Sequence, residues 1–245
     1  MSEGVELTHD AFLGGQVMLW QPRTGYRAGL DPVLLAASVP AQAGQSVLDL
    51  GCGAGAAALC LGARVPGLDL HGVERQPYYA DLARRNGLEV TCADLTRLPM
   101  PLKERSFDHV IANPPFFDRS ASRPSPYVGR EGALGEDTAL EDWVQVAAKR
   151  LRYRGFAHFI HRMARLPDLL SGIRPVLGSI EVLPFSARPG RAPELCIIRA
   201  RKGGRAEFRL HFPRLLHRGE SHLRDAESYT PEIKAVLRDG ARLEF

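Results

Sequence analysis

Apolar runs of five to seven residues alternate with helix-like segments along most of this chain. That alternation restricts the fold to an α/β unit, a mostly parallel sheet flanked by helices on both faces. Seven strands are predicted, at Ser46–Leu50, Leu68–Glu74, Leu88–Ala93, Phe107–Ala112, Phe156–Ile160, Ser179–Phe185 and Leu195–Ala200. Between them, Ala56–Arg64 is rich enough in alanine for a helix. Pro77 suits the first turn of a second helix that Asn86-Gly87 should end. Further helices are expected over Thr138–Arg152, Leu166–Leu177 and Pro231–Arg238. Trp143 falls with Leu140, Val144 and Ala147 on one stripe of the Thr138 helix, a core pattern.

The 245 residues suffice for one α/β domain with extensions: a lead-in over 1–45 that packs on the domain, a core over 46–202 and a basic extension of the same domain over 203–245. With 44% hydrophobic and 24% charged residues the chain falls among globular proteins rather than disordered ones. No run approaches the roughly 18–20 apolar residues of a membrane span, and the acidic N-terminus lacks a signal-peptide pattern, so a cytoplasmic protein with no membrane partner is expected. Cys52, Cys60, Cys92 and Cys196 form no CxxC pair and sit near no histidine at a ligand spacing, which predicts free thiols and no metal. Charge is segregated. Residues 1–145 carry 12 basic against 18 acidic side chains, and residues 146–245 carry 20 against 10. A basic half suits a polyanionic partner. Of the 32 basic residues only four are lysine; arginine favours bidentate phosphate contacts, although GC-biased composition also enriches it.

Asp49-Leu50-Gly51-Cys52-Gly53-Ala54-Gly55 follows a predicted strand and opens a helix, the setting in which closely spaced glycines admit a ligand to the backbone. Glu74, about 20 residues on at the end of the second strand, is placed for ribose hydroxyls. Both features fit a nicotinamide enzyme as well as other nucleoside binders. Asp94, after the third strand, could accept from an adenine amino group or serve only as a turn or cap residue.

The fourth strand stops at Asn113-Pro114-Pro115-Phe116, because two prolines cannot continue a ladder. The glycine loop, Glu74, Asp94 and this tetrapeptide together resemble, in order and spacing, the class I AdoMet-dependent methyltransferases that modify amino groups. The resemblance implies a Rossmann-like, seven-stranded, mostly parallel sheet and S-adenosyl-L-methionine as cofactor. It implies cofactor binding by Asp49, Gly51, Gly53, Gly55, Glu74, Asp94 and Asn113, and catalysis by Asn113, Pro114, Pro115 and Phe116. A conjugated amine is a poor nucleophile; acceptors at Asn113 and the Pro114 carbonyl would hold its two hydrogens while Phe116 stacks on the planar group.

Gln21-Pro22-Arg23-Thr24-Gly25-Tyr26-Arg27-Ala28-Gly29-Leu30-Asp31-Pro32-Val33-Leu34-Leu35-Ala36 and the tail segments Leu216-His217-Arg218-Gly219 and Tyr229-Thr230-Pro231-Glu232 are similar to the tRNA1(Val) adenine-N(6)-methyltransferase family. Many relatives have tyrosine where Phe116 stands. The resemblance implies methylation of an anticodon-loop adenine at position 37, with RNA, in particular tRNA, as partner. It also gives Tyr26, Arg27 and Asp31 a role in covering cofactor or positioning acceptor; alternatively Tyr26 packs under the sheet edge and Asp31 caps a Pro32–Ser38 helix. Arg199, Arg201, Arg205 and Arg209 are the arginines expected to hold phosphates. The polar segment 117–137 is expected to close over substrate. His158 and His161 read as packing or surface residues. Competing readings are a protein glutamine methyltransferase of the release-factor type, disfavoured by the short segment before the first strand; a DNA adenine methyltransferase, which would need a target-recognition domain; and a non-catalytic RNA-binding scaffold.

Overall fold

A computed structural model describes residues 6–118, 135, 136, 138–219 and 228–245. The chain begins with a hairpin, β1 (Leu7–Phe12) and β2 (Val17–Pro22), paired antiparallel. Its half-polar strands show no clear alternation, so periodicity does not reveal it. Helix α1 (Leu30–Ser38) follows, with Gly29 rather than Asp31 at its N-cap. Five elements then alternate: β3 (Ser46–Leu50), α2 (Ala56–Arg64), β4 (Asp69–Glu74), α3 (Pro77–Arg85) and β5 (Glu89–Cys92). Pro77 stands in the first turn of α3, and Arg84 and Arg85 in its last turn complement the helix dipole. The short α4 (Met100–Glu104) leads into β6 (Phe107–Ala112).

Segment 117–137, the expected lid, lies outside the described residues except for a two-residue pairing of β7 (Phe117–Asp118) with β8 (Gly135–Glu136). Helix α5 (Leu140–Arg150) hands over directly to β9 (Leu151–Arg162), a strand that starts five residues before the predicted Phe156. After α6 (Leu166–Ile173) come β10 (Gly178–Ser186), β11 (Leu195–Arg201), the two-residue strands β12 (Arg209–Leu210) and β13 (Arg214–Leu215), and α7 (Pro231–Asp239).

The seven predicted strands lie side by side in the order β10-β11-β9-β6-β3-β4-β5, and β12 and β13 extend the sheet beside β10 to make nine. Tail strands this short are beyond the reach of periodicity. Strands β3 to β6 and β9 are mutually parallel; β11 runs against both its neighbours. One face packs Val47, Ile111, Ile160, Leu183 and Ile197 under α1, α2 and α7. The other packs Leu48, Val110, Phe159 and Ile198 under α5 and α6. Phe159 is fully buried on the central β9, where truncation to alanine would cost about 3–5 kcal/mol. The strand order turns outward on either side of β3 and β6, and such a switch point opens a crevice at the carboxyl ends of the strands. Among the described residues no helix is long and apolar enough to cross a membrane.

Candidate active site

A cleft of about 420 Å³ occupies that crevice, a size that suits a nucleoside-containing ligand. It is lined by Tyr26, Arg27, Asp31, Gly51, Gly53, Glu74, Asp94 and Asn113 to Phe116, drawn from five separate segments of the sequence.

The loop after β3 turns at Gly51 with φ +64°, and a Cβ there would lie 2.5 Å from the Trp143 ring. Only glycine meets both demands. Gly55 caps α2 in the left-handed region and does not line the cleft. Glu74, at the end of β4, braces the loop: its Oε2 accepts from the Gly53 amide at 3.0 Å and its Oε1 from the Gln76 amide at 2.8 Å. Burial pushes the Glu74 carboxyl up while these amides pull it down, and each oxygen keeps acceptor capacity toward the cleft. Asp94 accepts from the Thr96 amide at 2.8 Å and the Thr96 hydroxyl at 2.7 Å through one oxygen. Those bonds lower its pKa, so it is an ionised cap residue and a cleft residue at once.

Asp49 is absent from the main cleft. It lies buried beneath the loop, borders a smaller cavity with Gly51, Tyr26 and Asn113, and accepts from the Ala58 amide at 3.3 Å. Burial drives its pKa up to about 8 against that hydrogen bond, with nearby Glu74 adding to the rise.

Tyr26 is pinned through its backbone, its amide donating to the Tyr79 hydroxyl at 3.0 Å. Burial first, then Asp31 and Asp49, pushes its phenol pKa up. Arg27 borders the cleft but spends its donors on the hairpin: Asp10 at 2.8 Å, the Thr8 hydroxyl at 2.8 Å and the Pro22 carbonyl at 3.1 Å. It ties the Tyr26 loop to β1. Asp31 stands in the first turn of α1, its carboxyl raised by burial and lowered by the charge of Arg162. Phe116 is flanked by the Arg162 guanidinium, 5.5 Å from its ring centre, and meets His161 edge-on at 5.1 Å.

The four arginines expected on RNA are not brought to this cleft. Ala112 pairs with Phe159, so the far end of β9, at Arg162, lies on the cleft side of the sheet. Because β11 is antiparallel, Leu195 faces Arg162 there, and Arg201 faces Phe156 at the opposite edge. Arg199 is consumed by Glu181 at 2.7 Å and stacks 4.2 Å over Phe245, with a side chain only 16% exposed. Arg201 donates to the Arg154 carbonyl at 3.0 Å. Arg209, paired with Glu181, and Arg205, just after Arg201, lie toward that same edge. The reversal of one strand sends them there. Arg162, Arg191 and Arg218 are instead exposed on the cleft side, the last two beside the ends of β10 and β13.

Sequence reasoning missed Trp143, Tyr79 and Gln76 as cleft residues. Trp143 does sit in the core stripe of α5, 6% exposed, yet it also lines the cleft, and its indole N–H has no hydrogen-bond partner among the described residues. Among the described residues no cluster of histidine, cysteine and carboxylate is arranged to hold a metal ion.

The sequence model of the methyltransferase small domain matches residues 29–127. The chain is 29% identical over 143 residues to the tRNA1(Val) (adenine(37)-N6)-methyltransferase of Haemophilus influenzae, spanning 55% of this chain and 60% of that protein. To the protein of the same name from Porphyromonas gingivalis it is 31% identical over 175 residues, 65% of this chain and 68% of the relative. Among solved structures, a predicted O-methyltransferase from Agrobacterium tumefaciens superposes with a TM-score of 0.70 at 26% identity over 88% of this chain and 99% of that one. The 16S rRNA N2 G1207 methyltransferase of T. thermophilus, solved with AdoMet and guanosine, shares the fold at a TM-score of 0.55 and 21% identity, over 80% of this chain and 45% of that one. With its class I methyltransferase fold and this similarity over two thirds of the P. gingivalis protein, the chain belongs to the tRNA1(Val) (adenine(37)-N6)-methyltransferase family.

Proposed function

We propose that this protein transfers a methyl group from S-adenosyl-L-methionine to the exocyclic N6 of an adenine in RNA, with an anticodon-loop adenine of a tRNA as the substrate. The observation that carries the reading is the position of Asn113-Pro114-Pro115-Phe116 in one cleft with the glycine loop, Glu74 and Asp94. The residues suit the cofactor. Glu74 would take ribose hydroxyls, Asp94 the adenine amino group, and the Gly51–Gly53 backbone leaves room for the amino-acid portion. When bound, the cofactor supplies an electrophilic methyl group on a sulfonium.

The protein's own residues prepare the acceptor. The Asn113 side-chain oxygen and the Pro114 carbonyl would accept the two N–H hydrogens, turning the nitrogen lone pair out of conjugation and toward the methyl carbon. Phe116 offers a ring for the base to stack on. So held, the amine would take the methyl group from the sulfonium and release one of its two hydrogens to solvent as a proton. The A. tumefaciens neighbour is named as an O-methyltransferase, but a hydroxyl has one hydrogen and would leave the second acceptor idle. The base of an unstacked loop is accessible to such a cleft, and Arg191 and Arg218, on the cleft side, would meet the phosphates.

The test is incubation with methyl-labelled cofactor and, separately, unmodified total tRNA, genomic DNA and a release factor. Label in tRNA that digests to N6-methyladenosine, and falls about 100-fold in Asn113→Ala, is expected. Label confined to the release factor would move the acceptor to glutamine, and label confined to DNA would move it to DNA adenine.

A further inference from the structure

The Pro114-Pro115 pair has an anchoring problem. Two successive prolines carry no N–H, so this part of the chain can be tied to the neighbouring strand through its carbonyls alone, and the donor must come from elsewhere. Strand β9 supplies one. Its pairing with β6 ends at Ala112↔Phe159, and it runs on to Arg162 beside the segment where the chain leaves the sheet. Two residues past the last pair stands His161, fully buried, with its Nε2 3.3 Å from the Pro115 carbonyl.

The other ring nitrogen fixes the tautomer. The Arg162 amide donates to His161 Nδ1 at 2.9 Å, so Nδ1 is an acceptor and the proton resides on Nε2, aimed at Pro115. The ring also meets Phe116 edge-on, with 5.1 Å between centres and 68° between planes. One side chain thus grips the peptide carbonyl before Phe116 and supports the Phe116 ring. We propose that His161 is a positioning residue for methyl transfer: as a neutral Nε2–H donor it holds the Pro115 carbonyl and the Phe116 ring in the orientation that presents the acceptor nitrogen. Burial, chiefly, draws its pKa down to about 4, so it stays neutral at the pH of the cell. The inference rests on the proposed methyl-transfer reading.

Two variants separate gripping from space-filling. His161→Phe keeps a planar ring beside Phe116 and loses the donor; His161→Gln can place an amide N–H where Nε2 stood. The expected result is a kcat about 10–50-fold lower in His161→Phe, recovered to within about threefold of wild type in His161→Gln, with cofactor affinity by calorimetry moved less than about twofold in both. Wild-type kcat in His161→Phe, or equal losses in both variants, would overturn the proposal. A measurement without turnover guards against a variant that fails to fold. Imidazole ¹⁵N NMR of the unaltered chain should show His161 as the neutral Nε2–H tautomer, without titration from about pH 5.5 to 8; an Nδ1–H tautomer or a titration in that range refutes the bracket. If the wild-type protein methylates no acceptor, the methyl-transfer reading fails by itself, and the NMR result still decides whether the bracket exists.

Discussion

Asp49 gives the most quantitative test of the site's electrostatics. It is a carboxyl sealed under the glycine loop, with the Ala58 amide as hydrogen-bond donor and Glu74 nearby. Its pKa rises from 3.8 to about 8 on folding. A raised carboxyl pKa means that the folded state holds the proton more tightly than the unfolded chain. Stability from this group is therefore full below about pH 4 and declines as pH rises, levelling off above about pH 8. Between those limits the slope is about 1.4 kcal/mol per pH unit, which amounts to about 2–3 kcal/mol between pH 5 and 7 and a total loss of about 4 kcal/mol by pH 7.

An asparagine at this position would mimic the protonated acid at every pH. Urea unfolding of wild type and Asp49→Asn, without cofactor, at a series of pH values should show the variant's relative stability growing by about 2–3 kcal/mol from pH 5 to pH 7. Titrating groups uncoupled from Asp49 are common to both proteins and drop out of the difference; Glu74, whose charge adds to the rise at Asp49, is the neighbour that stays in it. Parallel stability curves would show that Asp49 ionises freely in the folded state and that its burial carries no electrostatic penalty.

Gly51→Ala should lower stability by about 2–4 kcal/mol, since it combines a left-handed φ with a Cβ driven into the buried Trp143 ring; an unchanged Tm would mean that the loop and α5 separate easily. Arg191→Ala and Arg218→Ala, on the cleft side, should each reduce the slope of log affinity for tRNA against log salt by about 1, while Arg205→Ala and Arg209→Ala leave it unchanged. The reverse pattern would place RNA at the opposite edge of the sheet.

Local chemistry explains what is legible in the sequence. Asp49 to Gly55 and Asn113 to Phe116 each belong to a strand and the turn that ends it, so the composition of a few consecutive residues identifies them. Glu74 and Asp94 can be located because parallel strands all end on one edge. The arginines escape that logic: Arg199 and Arg201 lie on the reversed strand β11, between β10 and β9, and sequence pattern does not distinguish a reversed strand from its parallel neighbours. The stripe on its helix marks Trp143 as core, but a side chain can close a core and wall a cleft together, and its meeting with Gly51 joins residues far apart in the chain. His161 looks like an ordinary strand residue, because what distinguishes it is the pair of prolines on the adjacent strand end.

The carboxylates of the cleft carry a consequence for traffic through it. Asp31, Glu74 and Asp94 outnumber Arg27 and Arg75 along the recess, while Arg162 stands beside Phe116 at its mouth and Arg191 and Arg218 are exposed farther along the same edge of the sheet. A nucleic acid approaching this protein meets attraction at the rim and, deeper in, a field that repels its phosphodiester chain. A base can advance into the recess and its backbone is held back, so the cleft sorts one part of a nucleotide from another by charge before any edge of the base is read.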